Sequence, residues 1–309
     1  MKPKTRTLSV VCLAAFGSLF AVSTPAQRPQ IPTQAHPAKT VASDEAAGSK
    51  TQESHKSDVS SPDATDVCAY KFTSGSGATY LQFCVTVNGN IVEFQSPEGV
   101  EQIDQGTVGE GYGFCDQVPE VGYYDYAAYG ASGNWGPPTK LSKTATSVKI
   151  ERTTSDGAFT LTQTITSVAG DNPYAKILMS LKNNTDVTKG IAIYRFADSD
   201  PGNAAQTDTN YSENGDGTNQ SGFSYVPYSD STAPQYGLML QAVGAPTPAS
   251  AAFLREGWAN NVGYGPPVCA SGDYQTSPVT NLDDSIMYEW TFNVNKGQTV
   301  NMTSRYISF

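Results

Sequence analysis

The sequence predicts an all-β protein, a mostly antiparallel β-sandwich with long irregular loops, and three observations favour this class. Short runs with strand-like alternation recur along the chain, separated by turn residues such as Gly, Asn and Asp. Gly, Tyr, Ser, Thr and Asn are plentiful, while charged residues make up only 16% of the 309 residues, which is unlike a helical protein. No long stretch shows the 3.6-residue periodicity of an amphipathic helix, so we expect helices to be few and short.

The clearest predicted hairpin joins the runs 80–87 and 91–94 through Asn88-Gly89. Both turn residues tolerate the positive φ angles that a tight two-residue turn requires. The same alternation assigns further strands, namely 147–153 with 159–168, 175–182 with 190–196, 237–243 with 251–254, and 286–294 with 299–309. Antiparallel strands with one apolar side pack face to face as a sandwich.

The first 26 residues predict a secretory signal peptide. Lys2, Lys4 and Arg6 supply a positive start, and the run 8–22 is largely apolar. The small residues at 24–26 are typical of a cleavage site. We therefore expect the protein to be secreted, or to lie in the periplasm or on the cell surface.

The segment 27–66 is rich in Pro, Ala, Ser and Thr and contains no aromatic residue. It cannot bury enough apolar surface to offset the entropy of ordering, so we predict a disordered linker. A single β-sandwich domain is then expected over 67–309, with 12 basic and 23 acidic residues and a net charge of -11. Such an acidic domain is not expected to bind nucleic acid. Once the signal peptide is removed, we expect no transmembrane segment.

Four cysteines fall within the predicted domain, and an even number in an exported domain favours two disulfides. Three connectivities are possible. Cys68 and Cys84 flank a predicted turn and can face each other across two strands, so we predict that they pair. By elimination, Cys115 should pair with Cys269. A four-thiolate zinc site is the alternative, but the spacings contain no C-x-x-C pair.

Both histidines, His36 and His55, precede residue 67, so the predicted domain contains none. Without an imidazole, Ser-His-Asp and Cys-His triads and histidine-dependent zinc sites are excluded. What remains is carboxylate, tyrosine, lysine or arginine chemistry, such as glycoside hydrolysis by paired carboxylates or proton abstraction by a tyrosine. The sequence leaves catalysis undecided and leans against it.

The segment 111–138 is dense in aromatic residues, glycines and polar side chains, and its weak alternation predicts a long surface excursion. Aromatic rings that stack on the C–H faces of sugars, beside carboxylates and amides that bind hydroxyls, suit carbohydrate binding. The alternative is that these rings cover the end of the sandwich as an outer part of the core.

A second segment, 257–269, echoes the first because each holds an aromatic residue, an Asn and a Gly-Pro-Pro turn. If Cys115 pairs with Cys269, the two segments should lie close together and form one groove. The predicted ligand-binding residues are Tyr126, Tyr129, Asn134, Trp135, Trp258, Asn260 and Tyr264. The alternative is that the shared Gly-Pro-Pro is only a rigid turn.

The stretch 198–236 shows little alternation and many acidic and amide side chains, so we predict a long loop. Its density of oxygen ligands suits a structural calcium ion, although the spacing does not match an EF-hand. The predicted ligands are Asp208, Asn210, Glu213 and Asp216. A solvated polar loop is the alternative. Arg195 precedes the loop, and we expect it to pair with Asp198 or Asp200, or else to bind an anionic sugar.

These features predict a secreted, non-catalytic module that binds carbohydrate or another cell-surface polymer through aromatic loops. The first alternative is a glycoside hydrolase or polysaccharide lyase that uses carboxylates or a tyrosine. The second is a structural or adhesive surface protein. Accessible rings in a row would favour binding, fully buried rings would favour the structural role, and two carboxyl groups about 5–10 Å apart in a cleft would favour hydrolysis.

Overall fold

A computed structural model describes residues 67–103, 110–127, 131–199, 201–203, 209–213, 221–227, 234–248, 252–260, 269, 279–280 and 285–309. The predicted signal peptide and linker lie outside these residues and stay predictions. Within the described ranges there is no α-helix, and two short 3-10 helices occupy Gly77–Thr79 and Pro201–Asn203. No helix in the described part of the chain is long and apolar enough to span a bilayer.

The described residues form eighteen strands in three sheets. The three-stranded sheet contains, in order, β1 (Tyr70–Ser74), β2 (Leu81–Val85) and β3 (Ile91–Gln95). The six-stranded sheet is built from β4 (Glu110–Asp116), β5 (Val121–Tyr126), β6 (Ala131–Gly133), β11 (Lys189–Asp198), β15 (Ala252–Asn260) and β17 (Ser285–Val294), in the order β15-β17-β11-β4-β5-β6.

The nine-stranded sheet holds the remaining strands. They are β7 (Thr139–Lys143), β8 (Ser147–Thr153), β9 (Phe159–Val168), β10 (Tyr174–Asn183), β12 (Thr209–Glu213), β13 (Ser221–Pro227), β14 (Pro234–Thr247), β16 (Val279–Thr280) and β18 (Thr299–Ser308), in the order β16-β12-β13-β14-β18-β10-β9-β8-β7. Every pairing of neighbouring strands is antiparallel. The predicted fold class is therefore confirmed.

One hydrophobic core lies between the inner sides of the sheets. The alternation of β9 and β10 places every second residue inward, and Ile177 and Met179 are completely buried. Tyr288 and Trp290 of β17 enter the same core from the six-stranded sheet. Aromatic and β-branched residues fit such a pleated, half-buried surface, which is why these runs form strands.

The hairpin between β2 and β3 turns at Asn88-Gly89, as the sequence predicted. Gly89 has a φ of 95°, which favours glycine, and its N–H donates to the carbonyl of Thr86 at 3.2 Å. Unlike most hairpin turns, this one is inside the protein, because Asn88 and Asn90 are buried. The turn residues can therefore form hydrogen bonds with side chains and carbonyl groups on the inner sides of the two larger sheets.

Two expectations about irregular segments were wrong. The predicted excursion at 111–138 consists mainly of β4, β5 and β6, and the predicted loop at 198–236 contains β12, β13 and the start of β14. Glycine and asparagine lower strand propensity, so their abundance concealed these strands. Pairing with neighbouring strands overrides the weak local preference.

Candidate functional site

An aromatic layer covers the outer side of the six-stranded sheet. Successive side chains of a strand point to opposite sides, so the residues next to core positions face outward. The outward set consists of Tyr124 and Tyr126 of β5, Tyr194 and Phe196 of β11, and Met287 of β17, which pack as a cluster separate from the sandwich core. We call these five residues the tyrosine face.

Two glycines of β4 make room for this layer. A Cβ on Gly111 would lie 2.6 Å from Cε1 of Phe196 and 2.8 Å from Cδ1 of Tyr126. A Cβ on Gly113 would overlap the hydroxyl of Tyr194. Since carbon atoms in contact lie about 3.5–4.0 Å apart, only glycine lets rings from both neighbouring strands extend over β4.

The rings of the tyrosine face contact one another. The centroids of Tyr124 and Tyr126 lie 5.0 Å apart, and those of Tyr126 and Phe196 lie 4.9 Å apart with an interplanar angle of 88°. The hydroxyls of Tyr126 and Tyr194 share a hydrogen bond. Burial raises the pKa of both hydroxyls, so they are neutral near pH 7 and act as both donor and acceptor.

Solvent reaches the tyrosine face from the β6 edge of the sheet. Tyr124 is half-buried there, opposite Gly133 of β6, and the following residue Asn134 is exposed. Further in, Tyr126 is 7% exposed and Tyr194 only 2% exposed. The face therefore has an accessible rim at Tyr124 and a buried interior towards β11.

The inner side of the same sheet holds a buried ion pair. Arg195 donates to both carboxylate oxygens of Glu110, and both side chains are completely buried. Tyr306 donates a 2.8 Å hydrogen bond to Glu110, and the backbone N–H of Ile91 donates another at 2.7 Å. Burial raises the pKa of Glu110, while the Arg195 charge acts in the opposite direction. Arg195 thus pairs with Glu110, a partner that the sequence did not indicate, and Asp200 lies outside the described residues.

A second buried ion pair lies beside the first. Arg152 donates to Asp125 and, at 3.2 Å, to the hydroxyl of Tyr112. Asn88, in the buried β2–β3 turn, donates to Asp125 at 3.1 Å. A general acid or base must be within reach of its substrate. Glu110 and Asp125, both buried and bonded on the core side, are not in such a position.

The outer side of the sheet offers no close pair of carboxylates among the described residues of β11 and β17. Glu289 is half-buried and lies opposite Tyr194 in register. Asp198 is four residues further along β11, which corresponds to about 13 Å.

Trp135 does not line a surface groove with Trp258, so that prediction was wrong. The Trp135 ring packs edge-on against Tyr112 and Phe114 of the core, with centroid distances of 5.9 and 5.7 Å. Trp135 follows β6 at one edge of the six-stranded sheet, and Trp258 lies in β15 at the other. Five inter-strand spacings separate these edges, or about 24 Å.

The other predicted ligand-binding residues are dispersed. Tyr126 belongs to the tyrosine face. Asn134 has a φ of 66° and its side-chain amide donates to the carbonyl of Gly122 at 2.7 Å, so it stabilises a turn. Asn260 lies at the end of β15, opposite Ser285. Tyr129 and Tyr264 lie outside the described residues.

Both disulfides have the predicted pairing. Cys68 is bonded to Cys84, and Cys115 to Cys269, with a sequence separation of 154 for the second pair. Cys115 is the next outward position of β4 after Gly113, so this bond attaches Cys269 to the side of the sheet that carries the tyrosine face.

The predicted calcium ligands do not all lie in one loop. Asn210 and Glu213 lie in strand β12, and Asp208 and Asp216 lie outside the described residues. Among the residues that the structure describes, no cluster of three or more His, Cys, Asp or Glu side chains could hold a metal ion. Calcium binding stays a prediction.

Comparison with known proteins adds little to this geometry. No protein-family model and no curated protein matches the chain. Among solved structures, a bacterial glucoamylase in complex with acarbose aligns with 79% of this chain, at 12% sequence identity and a TM-score of 0.46. The alignment covers 33% of that protein, so the chain spans about a third of its length. At this level of similarity the likeness carries no argument about function.

The sequence contained one signal for the tyrosine face that the prediction missed. Gly111 and Gly113 alternate with aromatic residues, and Tyr124 and Tyr126 are also spaced by two. Such spacing places each set on one side of a strand. The contribution of β11 could not be found this way, because nothing local shows that Tyr194 lies beside residues some 70 positions earlier.

Proposed function

We propose that the protein is a non-catalytic module that binds carbohydrate at the accessible rim of the tyrosine face, around Tyr124. The observation that carries this proposal is the aromatic layer on the outer side of a sandwich sheet. Antiparallel sheets usually present polar residues on the side that does not pack against the core. Here the outer side carries an aromatic cluster instead, buried except at Tyr124, where it reaches solvent and could contact a ligand.

The packing around Tyr124 supports a stacking role. Its ring lies against Tyr126 on one side and over Gly133 on the other, where a Cβ would come within 2.6 Å of the ring carbon Cζ. A ring fixed in this way loses little conformational entropy when a ligand binds. The C–H face of a pyranose could stack on its accessible surface, with the exposed Asn134 nearby to contact hydroxyl groups.

The placement of the carboxylates supports a non-catalytic role. Glu110 and Asp125 are engaged with arginines inside the core, and no imidazole exists after residue 67. Two disulfides fit an oxidising compartment outside the cytoplasm, where polysaccharides of the cell surface would be accessible.

Affinity electrophoresis and pull-down with a panel of soluble and insoluble neutral polysaccharides would test the proposal, with an assay for new reducing ends in the supernatant. We expect retention by at least one polysaccharide, no new reducing ends, and about tenfold weaker binding for Tyr124→Ala, the loss of one stacking contact. The matched control is Tyr80→Ala, because Tyr80 is also half-buried but lies near the three-stranded sheet, where its hydroxyl donates to Gln82 at 2.9 Å.

A structural or adhesive role is the second candidate, and the burial of Tyr194 and Phe196 favours it. In that case the tyrosine face would act as an outer extension of the core. Tyr124→Ala would then lower the free energy of unfolding without changing retention on any polysaccharide. Release of new reducing ends by the wild-type protein would contradict both candidates and favour an enzyme.

A further inference from the structure

The outer side of the nine-stranded sheet differs in chemistry from the rest of this acidic domain. Its central strands present hydroxyl groups, including the outward threonines of β9 at 160, 162, 164 and 166. The same side of the sheet carries four basic side chains, which are Lys149 of β8, Lys176 and Lys182 of β10, and Arg305 of β18. We call these four residues the basic face. On this side of the four described strands β8, β9, β10 and β18, Glu151 of β8 is the single acidic residue.

Two of the cations face each other directly. Lys176 and Arg305 are opposite in register on β10 and β18, so their Cβ atoms are about 4.5–5.5 Å apart. Like charges in this position destabilise a sheet. The structure gives no compensating acid, because the ion pairs among the described residues are Lys71–Glu93, Arg152–Asp125, Lys189–Asp116 and Arg195–Glu110.

Arg305 is held in a defined position by neutral groups. Its Nε donates to Oε1 of Gln241 at 2.7 Å, and its guanidinium carbon lies 5.4 Å from the ring centroid of Tyr174. Tyr174 is half-buried and occupies the row next to the Lys176–Arg305 pair. The arrangement fixes the guanidinium without neutralising its charge, and an aromatic ring lies beside it.

Glu151 is too distant to neutralise the pair. In register it lies opposite Thr162 on β9, which lies opposite Ser180 on β10, four residues from Lys176. The offset is about 13 Å along the strand and about 10 Å across it. This distance exceeds the Debye length of about 8 Å at physiological ionic strength. Glu151 also accepts a hydrogen bond from Thr162 at 3.2 Å.

We propose that the basic face binds an acidic polysaccharide, in which carboxylate groups are carried on pyranose rings. Lys176 and Arg305 would bind a carboxylate, with Arg305 able to form a two-point contact. Tyr174 would stack on the sugar ring of the same residue. Lys149, two strands away on β8, would reach an acidic group further along the polymer. Charge complementarity and the aromatic ring beside the cation pair together favour this ligand over a simple polyanion.

The proposal is independent of the tyrosine face, which lies on the opposite sheet. It also differs from the expectation drawn from net charge. The domain carries a net charge of -11 and repels polyanions as a whole. Binding would therefore depend on the local cations, and it should weaken steeply when these are removed or screened by salt.

The test is the dissociation constant of the protein for an oligogalacturonate, measured by calorimetry at low salt for the wild type and two double variants. Lys176→Gln/Arg305→Gln removes the facing pair. Lys71→Gln/Lys296→Gln removes the same amount of charge elsewhere. Lys71 is exposed on β1 of the three-stranded sheet, and Lys296 is exposed in the turn between β17 and β18. We expect at least tenfold weaker binding for the first variant and less than a twofold change for the second.

A third variant separates a sugar ligand from a bare polyanion. Tyr174→Leu keeps an apolar side chain near Met239 and Ile307 but removes the ring. We expect it to bind oligogalacturonate severalfold more weakly and to bind inorganic polyphosphate, used as a ring-free probe, as the wild type does. Circular dichroism would verify that all variants are folded.

Three results would overturn the proposal. Wild-type protein that shows no binding to oligogalacturonate at millimolar concentration would refute it. Equal weakening by the two double variants would show that only net charge matters. Polyphosphate or duplex DNA bound as tightly as oligogalacturonate, with no effect of Tyr174→Leu, would indicate a non-specific cationic surface. Retention of neutral polysaccharides that depends on Tyr124 bears only on the tyrosine face.

Discussion

Arg195 and Glu110 form a two-point ion pair between β11 and β4 in the centre of the sandwich, where neither side chain is accessible to solvent. Arg195 also donates to Gln163 of β9 at 2.7 Å and to the carbonyl of Gly89 at 3.0 Å. One guanidinium thus joins the six-stranded sheet, the nine-stranded sheet and the buried β2–β3 turn.

We predict that Glu110→Gln lowers the free energy of unfolding by about 3–5 kcal/mol, because it leaves a buried charge without its partner. The control is Glu93→Gln, which removes the partner of Lys71 in a partly exposed pair 4.0 Å apart and should change stability by less than about 1 kcal/mol. Urea unfolding followed by tryptophan fluorescence measures both. Similar effects of the two substitutions would contradict a special role for the buried pair.

Alkaline pH should unfold the protein cooperatively. Burial raises the pKa of Tyr112, Tyr194 and Tyr306 above the ordinary value. The unfolded tyrosines ionise near pH 10, so above that pH the native state binds more protons than the unfolded state. Each such tyrosine then lowers the free energy of unfolding by about 1.4 kcal/mol per pH unit, and stability is lost as the pH rises towards the raised pKa values.

Tyrosinate absorbance and far-ultraviolet circular dichroism, recorded together from pH 9 to 13, check this prediction. We expect a large part of the absorbance change to coincide with unfolding. The same titration in concentrated denaturant serves as the reference and should be broad and centred near pH 10. Complete ionisation of the tyrosines while the circular dichroism stays native would be incompatible with their burial.

The two disulfides should differ in their contribution to stability. They link positions separated by 16 and 154 residues. In the chain-entropy model, this difference in loop length makes Cys115–Cys269 more stabilising by about 2 kcal/mol. Denaturant unfolding of Cys115→Ala/Cys269→Ala and of Cys68→Ala/Cys84→Ala measures the two contributions. A larger loss from the second variant would contradict the expectation from loop length.

Calcium binding remains a separate prediction for the segment that contains Asp208 and Asp216. A structural ion at a concentration 100-fold above its dissociation constant would stabilise the protein by about 2.7 kcal/mol. For a domain of this size the melting temperature would rise by about 5–10 °C. A thermal melt with 1 mM calcium, against one with chelator, decides the matter, and Asp208→Asn/Asp216→Asn should abolish any shift. No shift would end the calcium hypothesis.

Local patterns in the sequence predicted the strands with clear alternation, and they failed where glycines interrupt that alternation. The β8–β9 hairpin follows from period-two patterns. The same patterns located β10, β11, β17 and β18, but the expected pairings of 175–182 with 190–196 and of 286–294 with 299–309 were wrong, because β10 and β18 lie in the nine-stranded sheet and β11 and β17 in the six-stranded sheet. In β4, Gly111 and Gly113 lower the strand propensity, yet they are required because rings of neighbouring strands lie over them. The residues that build the tyrosine face are thus the ones that conceal it in the sequence.

The candidate site was harder to predict because it depends on contacts between distant parts of the chain. Trp135 was predicted to bind a ligand because it is an aromatic residue in a glycine-rich segment, but its ring packs in the core beside Tyr112 and Arg152. Arg195 stood beside two acidic residues, but its partner Glu110 is 85 positions away. Sheet order decides both outcomes, and no local pattern encodes it.

The proposal that the rim of the tyrosine face binds carbohydrate without cleaving it can be tested directly. The most direct measurement is the retention of wild-type, Tyr124→Ala and Tyr80→Ala proteins on a polysaccharide that binds the wild type, with reducing ends assayed in parallel. We predict about tenfold weaker binding for Tyr124→Ala only, and no new reducing ends. Equal retention of all three proteins, or release of new reducing ends, would contradict the claim.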